Sequence, residues 1–132
     1  MSGFHWLSRD VVLAAHDASL ERFGGTGGIR DEGLLESALA RPQMLAHYEP
    51  ETGPHRLAAA YAFGIAKNHA FVDGNKRTGF LAAYVFLRAN GWTFEAEQAD
   101  VVVWMLGVAA GSISEQQLAE WLARNSTKSE LS

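Results

Sequence analysis

Residues 69–78 read His-Ala-Phe-Val-Asp-Gly-Asn-Lys-Arg-Thr and interrupt a chain that otherwise has the apolar spacing of α-helices. One helical pattern runs from about residue 55 to residue 68, and another runs from Asn75 to a stop at Asn90-Gly91. Gly74 allows a positive φ in the turn between them, and Asn75 has a side chain suited to capping a helix. The stretch therefore predicts a tight turn that opens a helix.

Helical patterns also fill most of the chain on either side. Four more helices are predicted, from Ser8 to Gly24, from Asp31 to Pro42, from Gln98 to Ala110 and from Ser114 to Asn125. The segment 98–110 is apolar nearly all round, which predicts that it is the central buried helix. The sequence thus predicts an all-α fold, a compact bundle of about six helices, in one domain over residues 1–125.

Three segments outside the helices carry predictions of their own. Residues 42–54 are expected to be an irregular connection, because the residue before a proline avoids the helical region. Long connections of this kind are often functional. Residues 92–94 are predicted to be a short extended piece, and the polar residues 126–132 are predicted to be a disordered tail.

The composition excludes several classes of protein. The 132 residues carry a net charge of 11 − 15 = −4, which disfavours non-specific binding to nucleic acid. The absence of cysteine excludes a disulfide framework and thiolate chemistry. Residues 1–10 lack the apolar core of a signal peptide, and the run 101–110 is shorter than the about 20 residues needed to cross a bilayer. We expect a cytoplasmic protein with no direct nucleic-acid or membrane partner.

The charges after Gly74 lie at an unfavourable end of their helix. Lys76 and Arg77 fall in the first turn, where the helix dipole is already positive. A bound anion would explain them, because free N–H groups at a helix N-terminus bind phosphate and both side chains can add contacts to it. The alternative is an ordinary solvated helix start, and the residues alone leave both possibilities open.

Three residues before the helix could complete a phosphate-handling site. Asp73 could hold Mg²⁺ that bridges phosphate oxygens. His69 could accept a proton near neutral pH, since its unperturbed pKa is about 6.5, although it could equally be a structural histidine. Phe71 is interpreted as the apolar anchor of the loop.

Two other features are interpreted as structural. The segment Gly24-Gly25-Thr26-Gly27-Gly28 lacks the lysine of a P-loop and does not follow a predicted strand, so it is interpreted as a plain connector. His16 lies beside the apolar face of the first helix and is interpreted as structural.

The stretch around residue 74 resembles the Fic family signature His-x-Phe-x-Asp-Gly-Asn-x-Arg. Its fixed positions are filled by His69, Phe71, Asp73, Gly74, Asn75 and Arg77. The flanks resemble the death-on-curing (Doc) branch of the family, at Gly24-Gly25, Ser37–Pro42, Lys67-Asn68 and Phe86–Gly91. The resemblance covers about residues 5–125.

The resemblance implies a role for each motif residue. His69 would be the general base that takes a proton from a target hydroxyl, and Asp73 would bind Mg²⁺ or orient phosphates. The phosphates of ATP would be held by Asn75, Lys76, Arg77 and the backbone at Gly74.

The branch also implies a function and partners. Its members are toxins of type II toxin–antitoxin systems that transfer the γ-phosphoryl group of ATP to a serine or threonine hydroxyl of a protein, with translation elongation factor Tu as the expected target. The expected partner is an antitoxin whose disordered tail folds into a groove of the toxin. The chain lacks the family's inhibitory motif, since Thr93 and Glu97 have its spacing but Gln98 follows.

Two alternatives are kept. The first is an AMP transferase, although Lys76 stands where adenylylating Fic enzymes have glycine and Phe80 stands where they carry a second arginine. The second is a catalytically silent binding module or corepressor, against which the complete motif counts.

Overall fold

The computed structural model describes residues 3–129, and this part of the chain folds into helices with one small sheet. The elements are α1 (Arg9–Phe23), α2 (Glu32–Tyr48), α3 (Pro54–Asn68), α4 (Asn75–Ala89), β1 (Trp92–Phe94), α5 (Gln98–Ala110), α6 (Glu115–Arg124) and β2 (Ser126–Lys128). The predicted all-α fold with about six helices is confirmed. None of the helices in residues 3–129 has the length and hydropathy that a membrane crossing requires.

The helix starts follow the capping side chains in the sequence. The Ser8 side chain accepts a hydrogen bond from the Val11 amide at 3.2 Å, and Asp31 accepts one from the Leu34 amide at 3.0 Å. At α6, Ser114 and Gln117 bind each other's backbone amides in a capping box. These local signals place three of the helix starts as predicted.

The centre of the bundle is α3, which packs against α2, α4, α5 and α6. Its buried residues are Leu57, Ala58, Ala59, Ala60, Tyr61, Ala62, Gly64, Ile65 and Ala66. Most of them are small, so neighbouring backbones come close. A Cβ added to Gly79 of α4 would lie 2.8 Å from the Ala62 carbonyl oxygen, and one added to Gly64 would lie 3.3 Å from Ala38.

The prediction that α5 is the central helix is wrong. Only Met105 and Val108 of α5 are buried, whereas Val102, Val103 and Leu106 are 52%, 63% and 51% exposed. The helix packs with one side on the bundle and presents its other apolar side to solvent. Apolar composition therefore marked the wrong helix, because a helix surrounded by neighbours needs small side chains as much as hydrophobic ones.

The prediction that α2 ends at Pro42 is also wrong. The helix continues to Tyr48, with Pro42 buried inside it, and the connection shrinks to residues 49–53. A proline inside a helix costs roughly 3 kcal/mol, so packing must offset that cost. Next to it, Arg41 pairs with the buried Glu115 of α6, which also accepts a hydrogen bond from Arg56 of α3 at 3.1 Å.

The small sheet pairs β1 with β2 antiparallel, with Thr93 opposite Thr127. The extended piece predicted at residues 92–94 is confirmed. Residues 126–128 were predicted to begin a disordered tail, and that is wrong for these three residues, because β1 offers them a strand to pair with. Residues 130–132 of the predicted tail, and the first two residues of the predicted domain, lie outside the described residues.

Candidate active site

The sequence motif forms a loop, residues 69–74, that joins the end of α3 to the start of α4; we call it the motif loop. It begins with His69 in the left-handed region (φ 54°, ψ 58°) and ends with Gly74, also left-handed (φ 76°, ψ 20°). Gly74 occupies the cap position of α4 and has the positive φ that the sequence predicted. The loop thus makes two sharp changes of direction within six residues.

Asn75 does not cap the helix as predicted. It is the first residue of α4, and its side chain binds the backbone of Phe71, accepting from the amide and donating to the carbonyl at 2.9 Å each. Asn75 is buried, so this pair of bonds satisfies a side chain that would be costly to bury alone. The side chain predicted to hold phosphate instead closes the motif loop, and only the backbone amide of Asn75 is left for a ligand.

The rings of Phe71 and His16 pack against each other and fix the motif loop to α1. Phe71 is fully buried, and its ring stacks on the His16 ring at a centroid distance of 3.9 Å. His16 Nε2 lies 2.8 Å from the Asp73 carbonyl oxygen. Because a carbonyl only accepts, Nε2 is the protonated nitrogen of that ring. His16 is buried, in agreement with its structural interpretation.

Residues 24–28, which the sequence analysis interprets as a plain connector, lie against the motif loop together with the three residues that follow them. We call residues 24–31 the glycine segment. The Val72 amide donates to the Gly28 carbonyl at 3.0 Å, and the amides of Arg30 and Asp31 donate to the Ala70 carbonyl at 2.9 and 3.2 Å. The connector interpretation is therefore incomplete, because this segment pairs with the motif loop along most of its length.

The Asp73 side chain adds a further link between the two segments. Its Oδ2 accepts from the Thr26 amide at 3.2 Å, and its Oδ1 accepts from the Gly74 amide at 2.9 Å. These two bonds, Thr26 first, lower the pKa of the Asp73 carboxyl below its ordinary 3.8, and the charges of Arg77 and Lys76 lower that pKa further. The predicted phosphate contact from the Gly74 backbone is not free in this conformation, since that amide already has a partner.

Glycine is required at position 25 by this arrangement. Gly25 has a φ of 123°, and an added Cβ would lie 2.7 Å from Asp73 Oδ2. Sequence reasoning had no signal for this contact, because a glycine run shows conformational freedom but not which side chain approaches it.

The first turn of α4 is a region of unpaired positive charge. No side chain caps its amides, and the turn contains no acidic residue. Lys76 and Arg77 are exposed, and neither forms a salt bridge within residues 3–129. The Arg77 guanidinium instead lies 4.7 Å from the ring centroid of Phe23, at the end of α1. Amides and two cations without a salt-bridge partner at one helix end form a site suited to an anion.

His69 stands at the other end of the motif loop, as the cap residue at the C-terminus of α3, with its side chain free to act. It is exposed, and its imidazole has no hydrogen-bond or ion-pair partner among residues 3–129. Its backbone carbonyl accepts a hydrogen bond from the side chain of Arg30, a residue that sequence reasoning did not single out. The imidazole is thus available to a substrate, while its backbone is held by the glycine segment.

Asp73 meets the requirements of a single-carboxylate magnesium site. Its carboxylate is exposed and ionised, and each oxygen keeps lone pairs beyond the one amide that it accepts. Within residues 3–129 no group of three or more histidine, aspartate or glutamate side chains could hold a metal. Mg²⁺ that arrives with a nucleotide needs only one or two carboxylates, because phosphates and water complete its shell.

Position 80 contributes no charge to the site. Phe80 packs in an aromatic cluster, with ring centroids 5.5 Å from Phe94 and 6.2 Å from Tyr84. The cations at the start of α4 are therefore limited to Lys76 and Arg77 within this helix turn and the next.

Comparison with known proteins shows the family of the chain. The chain matches the family model described as Fic/DOC family over residues 6–87. It is 38% identical over 120 residues to a protein named "Protein kinase doc" from Escherichia phage P1. The aligned region covers 89% of this chain and 93% of that protein. The chain is 44% identical over 94 residues to "Toxin Doc" from Mycolicibacterium smegmatis, covering 70% of this chain and 69% of that protein. With a motif loop of this sequence and geometry and matches over most of its length, the chain belongs to the Fic/DOC family.

Proposed function

We propose that this protein is the toxin of a type II toxin–antitoxin pair and acts in the cytoplasm as a protein kinase. It would transfer the γ-phosphoryl group of ATP to a serine or threonine hydroxyl of a protein, with elongation factor Tu as the expected target, and so arrest translation and growth. The observation that carries the proposal is the motif loop itself, with an exposed His69 at one end and, at the other, an uncapped helix start whose two cations form no salt bridge in the described residues. The names of the two relatives, a protein kinase and a toxin, support it.

The chemistry follows from what each group can do. The target hydroxyl would attack the γ-phosphorus, its proton would pass to His69, and the bond from the γ-phosphorus to the bridging oxygen would break to release ADP. The free amides of Asn75 and Lys76, with the side chains of Lys76 and Arg77, would hold the phosphates. Most of the rate enhancement would come from positioning and charge stabilisation, with general-base help of roughly 10²–10⁴.

Asp73 would hold the Mg²⁺ that accompanies ATP. The ion, when bound, would neutralise part of the phosphate charge. The Asp73 carboxyl, whose pKa lies below its ordinary value, is ionised at neutral pH, as a metal ligand must be. The amides of Thr26 and Gly74 would fix the direction of that carboxylate.

Phosphoryl transfer is favoured over AMP transfer by two positions. Lys76 adds a side chain and a charge where a glycine would leave room for phosphates to run along the motif loop. Phe80 is packed among aromatic rings, so this helix has no second arginine there to anchor the outer phosphates. The exposed imidazole and intact anion site also count against a catalytically silent module.

An antitoxin partner is part of the proposal. The chain has no inhibitory motif of its own, so a separate protein would have to restrain an active toxin. The expected antitoxin has a disordered tail that folds on a groove of this domain, burying roughly 1,000 Å² or more to offset the ordering cost.

Growth arrest with a matched pair of histidine variants tests the function. Expression of the parent should stop growth, co-expression of the neighbouring gene should restore it, and His69→Ala should be harmless although folded. The control is His47→Ala, which removes an exposed histidine from α2 and should remain toxic. Equal toxicity of folded His69→Ala and the parent would show that His69 is not the base.

A further inference from the structure

His69 is held in a backbone conformation that its side chain disfavours. It is the one residue other than glycine with a positive φ in the described part of the chain, residues 3–129. A Cβ in the left-handed region clashes with the neighbouring peptide, so glycine usually fills this position after a helix. Something other than local preference must therefore hold residue 69.

The Arg30 side chain makes the contacts that do so. Its Nε donates to the His69 carbonyl at 2.6 Å, and an Nη donates to the Asn68 carbonyl at 2.8 Å. These carbonyls belong to the two peptide planes on either side of the His69 Cα. Rotation about φ or ψ of His69 moves one plane relative to the other, so a rigid fork bound to both limits both angles.

The position of Arg30 makes these bonds strong and well fixed. They are charge-assisted, and they lie at the C-terminus of α3, where the helix dipole favours a cation. The backbone of Arg30 is itself anchored, since its amide donates to the Ala70 carbonyl at 2.9 Å. Arg30 thus donates hydrogen bonds to three consecutive carbonyls, those of residues 68, 69 and 70.

We propose that Arg30 is a positioning residue for His69. By fixing φ and ψ it sets the direction of the Cα–Cβ bond, and so the direction of the imidazole that would take the proton of the target hydroxyl. Arg30 needs no contact with ATP or with the target. The inference rests on the proposed function, because it takes His69 as the base.

The test compares Arg30→Ala, Arg30→Lys and the control Arg9→Ala. Lysine keeps the charge but lacks the planar fork that reaches two carbonyls. Arg9 is half-buried and likewise donates hydrogen bonds through its guanidinium, but to the carboxylates of Glu32 and Glu36 on α2. Three quantities are measured for each: the rate of target modification at saturating ATP, the Kd for ATP, and the backbone ¹⁵N order parameters of residues 69 and 70.

Both Arg30 variants should modify the target more slowly but bind ATP as tightly as the parent. We expect the rate to fall by about tenfold to a hundredfold for alanine, since a displacement near 1 Å can cost that much. Arg30→Lys should fall less. The Kd for ATP should stay within about twofold, because Lys76 and Arg77 are untouched. The order parameter at residue 69 should drop from about 0.85 toward 0.6, and Arg9→Ala should match the parent in all three.

The outcomes separate this inference from the proposed function. Unchanged order parameters in Arg30→Ala would overturn it, and so would a full rate in a variant whose residue 69 has become mobile. A weakened Kd for ATP would show that Arg30 binds nucleotide instead. If the parent itself modifies no target, the proposed function fails, and the order parameters alone decide whether Arg30 holds His69. Arg30→Lys serves for every measurement should Arg30→Ala not fold.

Discussion

The motif loop and the glycine segment lie side by side but contribute different kinds of group. The motif loop and the turn after it present side chains that can react or bind, among them His69, Asp73 and Arg77. The glycine segment presents mainly backbone amides, one arginine and a glycine, Gly25, that lets the Asp73 carboxylate come close. The difference indicates that the motif loop would carry the reactive groups and the glycine segment would hold them in position. Substitutions in the two segments should therefore affect different measured quantities.

The largest effect on nucleotide binding is expected at the helix end. Arg77→Ala should raise the Kd for ATP by about tenfold to a hundredfold, since a hydrogen bond to a charged group is worth about 1.5–3 kcal/mol. Titration calorimetry measures it. The control is Arg88→Ala, which removes an exposed arginine from the opposite end of the same helix. Equal Kd values for the two variants would remove Arg77 from the anion site.

A smaller effect, on rate instead of binding, is expected in the glycine segment. Gly25→Ala would place a Cβ 2.7 Å from Asp73 Oδ2, so the carboxylate must move. The modification rate should fall by about tenfold. Gly24→Ala is the matched control, because Gly24 also has a positive φ (82°) but an added Cβ meets no atom within 4 Å. If both variants lose rate equally, backbone strain and not the Asp73 contact is responsible.

The smallest effect concerns the pH dependence of the link between the two segments. The folded-state pKa of Asp73 lies below its unfolded value of 3.8, so its contribution to stability is present above that pH and is lost as the pH falls through the folded pKa. In melting experiments, the parent should therefore lose more Tm than Asp73→Asn between about pH 4 and pH 2. Parallel Tm curves would mean that the amides of Thr26 and Gly74 add no stability through the carboxylate.

Local sequence signals predicted the helices well and their arrangement less well. Ser8, Asp31 and Ser114 marked helix starts because a cap acts on amides two or three residues away. Burial of α3 could not be predicted in the same way, because it depends on how closely four other helices approach its alanines. The passage of α2 through Pro42 likewise depends on packing across the bundle, which opposes the local preference of the chain.

The candidate site shows the same division. Residue types pointed to the motif loop, and the structure leaves the side chains of His69, Asp73, Lys76 and Arg77 exposed in it and in the turn that follows. They did not show that the Asn75 side chain is used to close the loop, or that the Gly74 amide binds Asp73. Nor did they show Arg30, which is 39 residues from His69 along the chain and touches it through a carbonyl. Contacts between a side chain and a distant backbone leave no pattern in a single sequence.

The central claim is that the site transfers a phosphoryl group to a protein, and the fate of labelled ATP tests it most directly. Purified protein is incubated with a cell lysate or purified elongation factor Tu and with ATP labelled at either the α or the γ phosphate, alongside His69→Ala. The proposal predicts label on a protein band from γ-labelled ATP only, and none with His69→Ala. Label from α-labelled ATP on the target would contradict the proposal and identify the protein as an AMP transferase.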